Sequence, residues 1–208
     1  MSDLGLQDVK EKISQPQLEA IEVIEEYLNS DGNKYQALVK MPTGTGKTGI
    51  IGIVSNFYDK HKNILIVVPN SILPSQIEDE IWVNFWKNIG LDRSKLKIKF
   101  PCVYKVKNFQ IPNKDEGTII ITTIQSLVTI YQEEYEKYFE LQRNIDLVIF
   151  DEGHREPSLI WSKAIRQLQK KVILFTATPY RNDEAFFSFH EKKFKYNQIG
   201  RASCRERV

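Results

Sequence analysis

The sequence is poor in the residues that build disulfide frameworks and zinc sites. Its 208 residues include two cysteines, Cys102 and Cys204, which lie far apart and form no CxxC pair. The first residues, MSDLGLQDVKEKIS, lack the apolar stretch of a secretory signal. No run of about 18 or more apolar residues is present to span a membrane. These absences predict a cytoplasmic protein that keeps its thiols reduced and makes no membrane contact.

Charge of one sign is also scarce. The chain has 29 lysines and arginines against 27 acidic residues, a formal net charge of +2. Residues 199–208, IGRASCRERV, carry three arginines and one glutamate and so account for that whole net charge. A DNA sequence that would encode these residues resembles a common sequencing adapter. We therefore expect a gene fragment that ends after about Asn197 and a tail at 199–208 that is foreign to the protein, the alternative being a genuine basic tail.

Five short apolar runs alternate with segments of helical length. The runs are nearly continuous, as in strands that are buried on both faces of a parallel sheet. They occupy residues 37–41, 63–69, 118–122, 146–150 and 172–176, and the helical segments occupy residues 16–28, 47–59, about 71–89, about 123–142 and about 157–169. This alternation implies right-handed crossovers and predicts an α/β fold with helices on both faces of a parallel sheet.

Two other patterns favour ordinary structural explanations. KLKIKF (95–100) alternates lysines with apolar residues, which predicts a half-exposed strand. Its lysines could touch phosphates, but a solvated edge strand is the favoured explanation. Trp82, Phe85 and Trp86 have helical spacing, and core packing is favoured over base stacking for them.

The segment MPTGTGKT (41–48) predicts a phosphate-binding loop between a strand and a helix. Gly44 and Gly46 allow backbone N–H groups to point into one concavity, and the following helix adds its positive dipole end. Lys47 can neutralise β- and γ-phosphates, and the Thr48 hydroxyl can bind Mg²⁺. Met41 stands where the general pattern GxxxxGK[ST] has its first glycine. The predicted nucleotide-binding residues of the loop are Thr43, Gly44, Thr45, Gly46, Lys47 and Thr48.

Two further polar segments follow buried strands. DEGH (151–154) places Asp151 where it could hold Mg²⁺ and Glu152 where it could accept a proton from an attacking water. TATP (176–179) offers the hydroxyls of Thr176 and Thr178. We expect these hydroxyls to couple to His154, the alternative being a surface histidine. Ligands gather where strands of such sheets end, so the three segments are expected to converge.

In this order, the three segments resemble motifs I, II and III of superfamily 2 helicases and translocases. The closest resemblance is to the DExH group that includes restriction-enzyme motor subunits, in which the first loop glycine is often replaced. QPQLEAI resembles the upstream glutamine motif, so the resemblance implies that Gln17 recognises adenine. VVPNSILPSQ and TTIQSL resemble motifs Ia and Ib, and TATPYRND resembles the restriction-type motif III. The nucleic-acid contacts that these weaker motifs imply are Pro69, Asn70, Ser71, Thr122, Thr123, Gln125 and Arg181.

The resemblance implies a first RecA-like lobe of a P-loop NTPase that uses ATP and Mg²⁺ on a nucleic-acid track, with DNA favoured over RNA. Residues 35–198 would form the ATP-binding domain and residues 1–34 an N-terminal region with the glutamine-motif helix. A second RecA-like lobe is expected in the intact protein, with nuclease or methylase subunits as further partners. Because the second lobe supplies an arginine finger in this family, the fragment alone is expected to be nearly inactive.

Other functions remain open at this stage. A P-loop kinase for a small molecule would account for residues 41–48 but not for the two later motifs. A nucleotide-gated module could clamp nucleic acid without turnover. An RNA helicase of the same superfamily would share all three motifs.

Overall fold

A single parallel sheet organises the computed structural model of the chain. The structure describes residues 4–30, 36–42, 44–58, 62–69, 73–96, 101–103, 111, 117–151 and 159–177. Within them the strands are β1 (Gln36–Lys40), β2 (Ile64–Val68), β3 (Pro101–Val103), β4 (Ile119–Thr123), β5 (Leu147–Phe150) and β6 (Lys171–Thr176). They lie in the order β1-β6-β5-β2-β4-β3, and each neighbouring pair is parallel.

Helices cover both faces of this sheet. They are α1 (Leu6–Lys10), α2 (Gln15–Asn29), α3 (Lys47–Phe57), α4 (Leu73–Asp79), α5 (Phe85–Asn88), α6 (Ile124–Glu133), α7 (Tyr135–Asn144) and α8 (Leu159–Arg166). Helices α1 to α5 share one apolar core with the sheet, and α6 to α8 share the other. The predicted fold class is confirmed. Within the described residues, no helix combines the length and apolar character needed to cross a membrane.

Each of the five predicted apolar runs overlaps a strand to within one residue at either end, or contains it. β2 shows the reason, because all five of its residues are buried. Ile64, Ile66 and Val68 face the core with α1 to α5, whereas Leu65 and Val67 face the core with α6 to α8. A strand with apolar residues on both faces must lie inside a covered sheet.

The helix predicted at about 71–89 is interrupted. A π-helical turn, Glu80–Asn84, joins α4 to α5. The wider turn brings Phe85 and Trp86 into the core, where they are 4% and 0% exposed, and the Trp86 indole donates to the carbonyl of Ile81 at 2.7 Å. The expected packing is therefore confirmed for these two aromatic residues. Trp82 is half-buried instead, with the Arg93 guanidinium 3.3 Å from its ring centroid.

The single helix predicted at about 123–142 is wrong. The chain breaks at Glu134, whose φ of −127° and ψ of 61° are not helical, and α7 begins at the next residue. After the break the Tyr138 hydroxyl donates to the carbonyl of Ala164 at 2.6 Å, and its ring meets Tyr131 edge to face. Helical periodicity does not predict this break, and the contacts of Tyr138 connect α7 to both α6 and α8.

The strand predicted at 95–100 is also wrong where the structure describes it. Lys95 ends a 3₁₀ turn, Arg93–Lys95, and buried Leu96 forms an isolated bridge with Leu4. Residues 97–100 lie outside the described residues. The strand that the prediction missed, β3, begins with Pro101, a residue tolerated at the first position of an edge strand. The predicted domain boundary between residues 34 and 35 stays a prediction.

Candidate nucleotide-binding site

A tightly curled loop follows β1 and leads into α3. Gly44 and Gly46 both have a φ of 81°, a left-handed conformation that glycine adopts without steric cost. The Thr45 hydroxyl donates to the carbonyl of Pro42 at 2.7 Å. The loop therefore curls just before the amino end of a helix, where backbone N–H groups and the helix dipole favour anions. Thr43 lies outside the described residues.

Lys47 and Thr48 begin α3, and Gly46 is its N-cap. The Lys47 ammonium reaches back across the loop and donates to the carbonyl of Met41 at 3.3 Å. Both side chains are half-buried. A cation therefore reaches across the curled loop, and the roles that the sequence predicted for Lys47 and Thr48, binding phosphate and Mg²⁺, stay predictions.

Gln17 lies in the first turn of α2 and touches the same loop. Its amide nitrogen donates to the carbonyl of Gly46 at 3.2 Å, and its amide oxygen accepts from both the backbone N–H and the hydroxyl of Ser14 at 3.0 Å. The side chain is buried. The sequence predicted adenine recognition for Gln17, which stays a prediction. The sequence interpretation did not predict the contact of Gln17 with the loop.

Asp151 and Thr176 lie at the same edge of the sheet as the loop. Asp151 follows β5, is 9% exposed, and its N–H donates to the carbonyl of Val67 in β2 at 3.0 Å. Thr176 ends β6, is fully buried, and its carbonyl accepts from the N–H of Met41 at 2.9 Å. Glu152, His154 and Thr178 lie outside the described residues.

The strand order sets the spacing between these groups. β6 lies between β1, which leads into the loop, and β5, which leads into Asp151. Neighbouring strands are about 4.8 Å apart, so the two strand ends are about 10 Å apart. That separation leaves room for a polyphosphate and a cation between the loop and the Asp151 carboxylate.

The described residues predicted to contact nucleic acid lie at or just after the carboxyl ends of β2 and β4, on the far side of Asp151 from the loop. Pro69 and Thr122 are buried, whereas Gln125 is exposed. Thr123 is the N-cap of α6, and its hydroxyl oxygen accepts from the N–H of Ser126 at 3.1 Å. Asn70, Ser71 and Arg181 lie outside the described residues. These contacts stay predictions, and Gln125 is the described side chain among them that solvent reaches most readily.

Ser14 is a site residue that the sequence interpretation missed although its signal was present. SQPQ (14–17) matches the capping-box pattern, in which a serine precedes glutamine by three positions just before a helix. The pattern predicts the Ser14–Gln17 contact. It does not predict the contact of Gln17 with Gly46, because those residues are 29 positions apart.

Comparison with known proteins identifies a family over most of the chain. The family described as "Type III restriction enzyme, res subunit" matches residues 10–181. The match includes the curled loop, Asp151 and Thr176, and it extends through the residues that connect them. No curated protein matches the chain significantly.

Solved structures share the fold at low sequence identity. A nuclease-deletion mutant of the type ISP restriction-modification enzyme LlaGI, in complex with a DNA substrate mimic, aligns with a TM-score of 0.58 and 20% identity over 89% of this chain. A variant of S. cerevisiae Dbp5 bound to a Gle1 variant and IP6 aligns with a TM-score of 0.53 and 12% identity over 95% of this chain. The alignments cover 20% of the LlaGI chain and 54% of the Dbp5 chain. The chain thus spans about one fifth and about half of these two proteins.

Proposed function

The chain belongs to the family of type III restriction enzyme res subunits, and from that premise we propose that it is the ATP-binding lobe of a nucleic-acid-dependent ATPase. In the intact protein, hydrolysis of ATP to ADP and phosphate drives movement along DNA together with a second RecA-like lobe. One observation carries the proposal. The curled loop, Lys47 and Asp151 lie at the same edge of the sheet.

The loop residues bind the polyphosphate in this proposal. The first N–H groups of a helix point toward its amino end, and the left-handed glycines curl the preceding backbone at the start of α3. Lys47 exchanges the carbonyl of Met41 for a phosphate oxygen, which a flexible ammonium can do at little cost. Gln17 holds the loop through Gly46 and contacts the adenine edge. Glu152 accepts the proton of the attacking water.

The donor atoms at the sheet edge fit Mg²⁺. The hydroxyl of Thr48 and the carboxylate of Asp151 are hard oxygen ligands, which this ion prefers, and Asp151 retains some exposed surface. When bound, the ion would offset the negative charge of the phosphates. Thr48 and Asp151 are therefore the residues proposed to hold it.

The nucleic-acid track is proposed to be DNA. The restriction-enzyme family supports DNA, and the similar LlaGI structure was determined with a DNA substrate mimic. The track would cross the carboxyl ends of β2 and β4, where Thr123 and Gln125 lie. Equal affinity of the protein for duplex DNA and duplex RNA of the same sequence would contradict this preference.

Removal of the Lys47 ammonium tests the nucleotide site. ATP with Mg²⁺ at about 100 times its Kd should stabilise the protein by roughly 2.7 kcal/mol, measured as a rise in the thermal unfolding midpoint. In Lys47→Ala this ligand-dependent rise should disappear, because the charge that pairs with the phosphates is absent.

The matched control is Lys163→Ala, which removes an exposed lysine of α8 on the other face of the sheet. This variant should retain the full rise with ATP. An equal rise in Lys47→Ala and the wild type would remove Lys47 from the site and contradict the proposal.

A further inference from the structure

A buried lysine holds the C-terminal end of α2 against the first residue of β6. Lys171 is 6% exposed, and its ammonium donates to the backbone carbonyls of Tyr27, Leu28 and Ser30. The last carbonyls of a helix have no partner within the helix and lie at the negative end of its dipole, so a cation is stabilised there. The contact fixes the position of this helix end relative to the sheet.

Tyr27 strengthens the same connection. Its ring is 3% exposed, its hydroxyl oxygen accepts from the N–H of Val172 at 3.0 Å, and the Lys171 ammonium lies 5.2 Å from the ring centroid. Two adjacent residues of β6 therefore bind the last turn of α2. Buried polar groups that are fully paired in this way are costly to separate.

The N-terminal end of α2 contacts the curled loop between β1 and α3, which is the proposed phosphate loop. Gln17 lies ten residues before Tyr27, about 15 Å along the helix, and donates to the carbonyl of Gly46. The loop is in turn joined to the far end of β6, where the N–H of Met41 donates to the carbonyl of Thr176. α2, the phosphate loop and β6 therefore form a closed ring of contacts.

We propose that Lys171 is a positioning residue for the nucleotide site, which it influences by holding α2 so that Gln17 stays on the phosphate loop. The proposal rests on the proposed function. It assigns a role to a residue at the opposite edge of the sheet from the loop, since β6 runs from Lys171 to Thr176.

The geometry makes Gln17 sensitive to small displacements of α2. Its bond to the carbonyl of Gly46 is 3.2 Å long, near the upper end of the usual range for such bonds. A helix transmits an axial shift along its length, so a movement of about 1 Å that carries Gln17 away from the loop would break this bond. Loss of Lys171 should therefore resemble loss of the Gln17 amide in its effect on nucleotide binding.

A double-mutant cycle distinguishes positioning from simple destabilisation. The Kd of ATP with Mg²⁺ is measured by titration calorimetry for the wild type, Lys171→Met, Gln17→Ala and the double variant. Each single variant should bind ATP about three- to tenfold more weakly, and the double variant no more weakly than Gln17→Ala alone. Independent sites this far apart would give effects that multiply.

Controls and alternative variants keep the test decisive. Lys163→Met, an exposed lysine of α8, should leave the Kd unchanged. If Lys171→Met does not fold, Lys171→Gln replaces it in the same cycle, because its amide can donate no more than two of the three hydrogen bonds that the ammonium makes. Effects that multiply, or an unchanged Kd in the Lys171 variant, would overturn the positioning role while leaving the proposed function intact. Failure of the wild type to bind ATP would instead contradict the proposed function.

Discussion

At the scale of single residues, the candidate site depends on close approaches that only small side chains permit. Gly46 illustrates this in two ways. Its φ of 81° is unfavourable for other residues, and a Cβ at this position would lie 2.2 Å from the amide nitrogen of Gln17. Glycine at the cap of α3 therefore avoids both backbone strain and a displacement of the Gln17 amide from the loop.

Tyr27 gives the stability of the protein a dependence on alkaline pH. Burial raises the pKa of its phenol to about 12 from the ordinary 10.0, although the bond from Val172 lowers it. The unfolded chain loses this proton near pH 10 and the folded chain near pH 12. The free energy of unfolding should therefore be unaffected below about pH 10 and should fall by about 2 to 3 kcal/mol between about pH 10 and 12.

Urea unfolding of the wild type and Tyr27→Phe over this range measures the effect. The variant should show a shallower decline with pH, because it has no phenol to ionise. Some decline should remain, since burial also raises the pKa of Tyr58 and Tyr138. If the free energy of unfolding fell equally steeply with pH in both proteins, Tyr27 would have the same pKa in the folded and unfolded chains, contrary to this prediction.

Sequence patterns predicted the site residues that belong to local motifs. They did not predict contacts between residues that are far apart along the chain. Gly44, Gly46 and Lys47 form a local pattern, and Asp151 follows a recognisable buried strand, so their common edge could be predicted. The contacts of Lys171 with the end of α2 join residues 141 to 144 positions apart. No local pattern specifies such pairs, because they depend on which strand lies next to which helix.

At the scale of elements, α3 and the helix pair α4–α5 approach closely at two glycines. A Cβ at Gly49 would lie 2.3 Å from the ring of Phe85, which is buried and has little room to move. At Gly52 the nearest atom, the Cβ of Ile81, would be 3.4 Å away, an ordinary contact. Close packing therefore favours glycine at position 49, whereas position 52 has room for a larger side chain.

Alanine substitutions at Gly49 and Gly52 should change the free energy of unfolding in opposite directions. Gly49→Ala should lower the free energy of unfolding by about 1 to 2 kcal/mol, because overpacking costs more than the gain in helix propensity. Gly52→Ala should raise it by about 0.5 to 1 kcal/mol through that same gain. Urea denaturation measures both values. Stabilisation by Gly49→Ala would mean that Phe85 moves aside without cost.

Elements were predictable where one periodicity dominates and were missed where tertiary contacts decide. The strands of continuous apolar sequence, such as β2 and β5, follow directly from burial on both faces. The break at Glu134 and the π turn before Phe85 do not follow from local periodicity, and both lie beside aromatic contacts, of Tyr131 with Tyr138 and of Phe85 with Trp86. β3 has three residues and an initial proline, too little for any pattern.

At the scale of the whole molecule, the sheet has two faces, and it has two edges where its strands begin and end. Helices and cores lie on the faces, while the curled loop, Thr176 and Asp151 lie at the carboxyl edge. The opposite edge carries Lys171 and the end of α2. Chemistry is thus proposed for one edge, and the contacts that hold its geometry extend to the other.

A crystal structure of the protein with Mg²⁺ and a non-hydrolysable ATP analogue would locate the nucleotide and the metal. We expect the polyphosphate inside the loop of residues 43–48, within hydrogen-bond distance of the Lys47 ammonium, with Thr48 and Asp151 beside the metal. A nucleotide bound elsewhere, or a metal more than about 10 Å from Asp151, would contradict it.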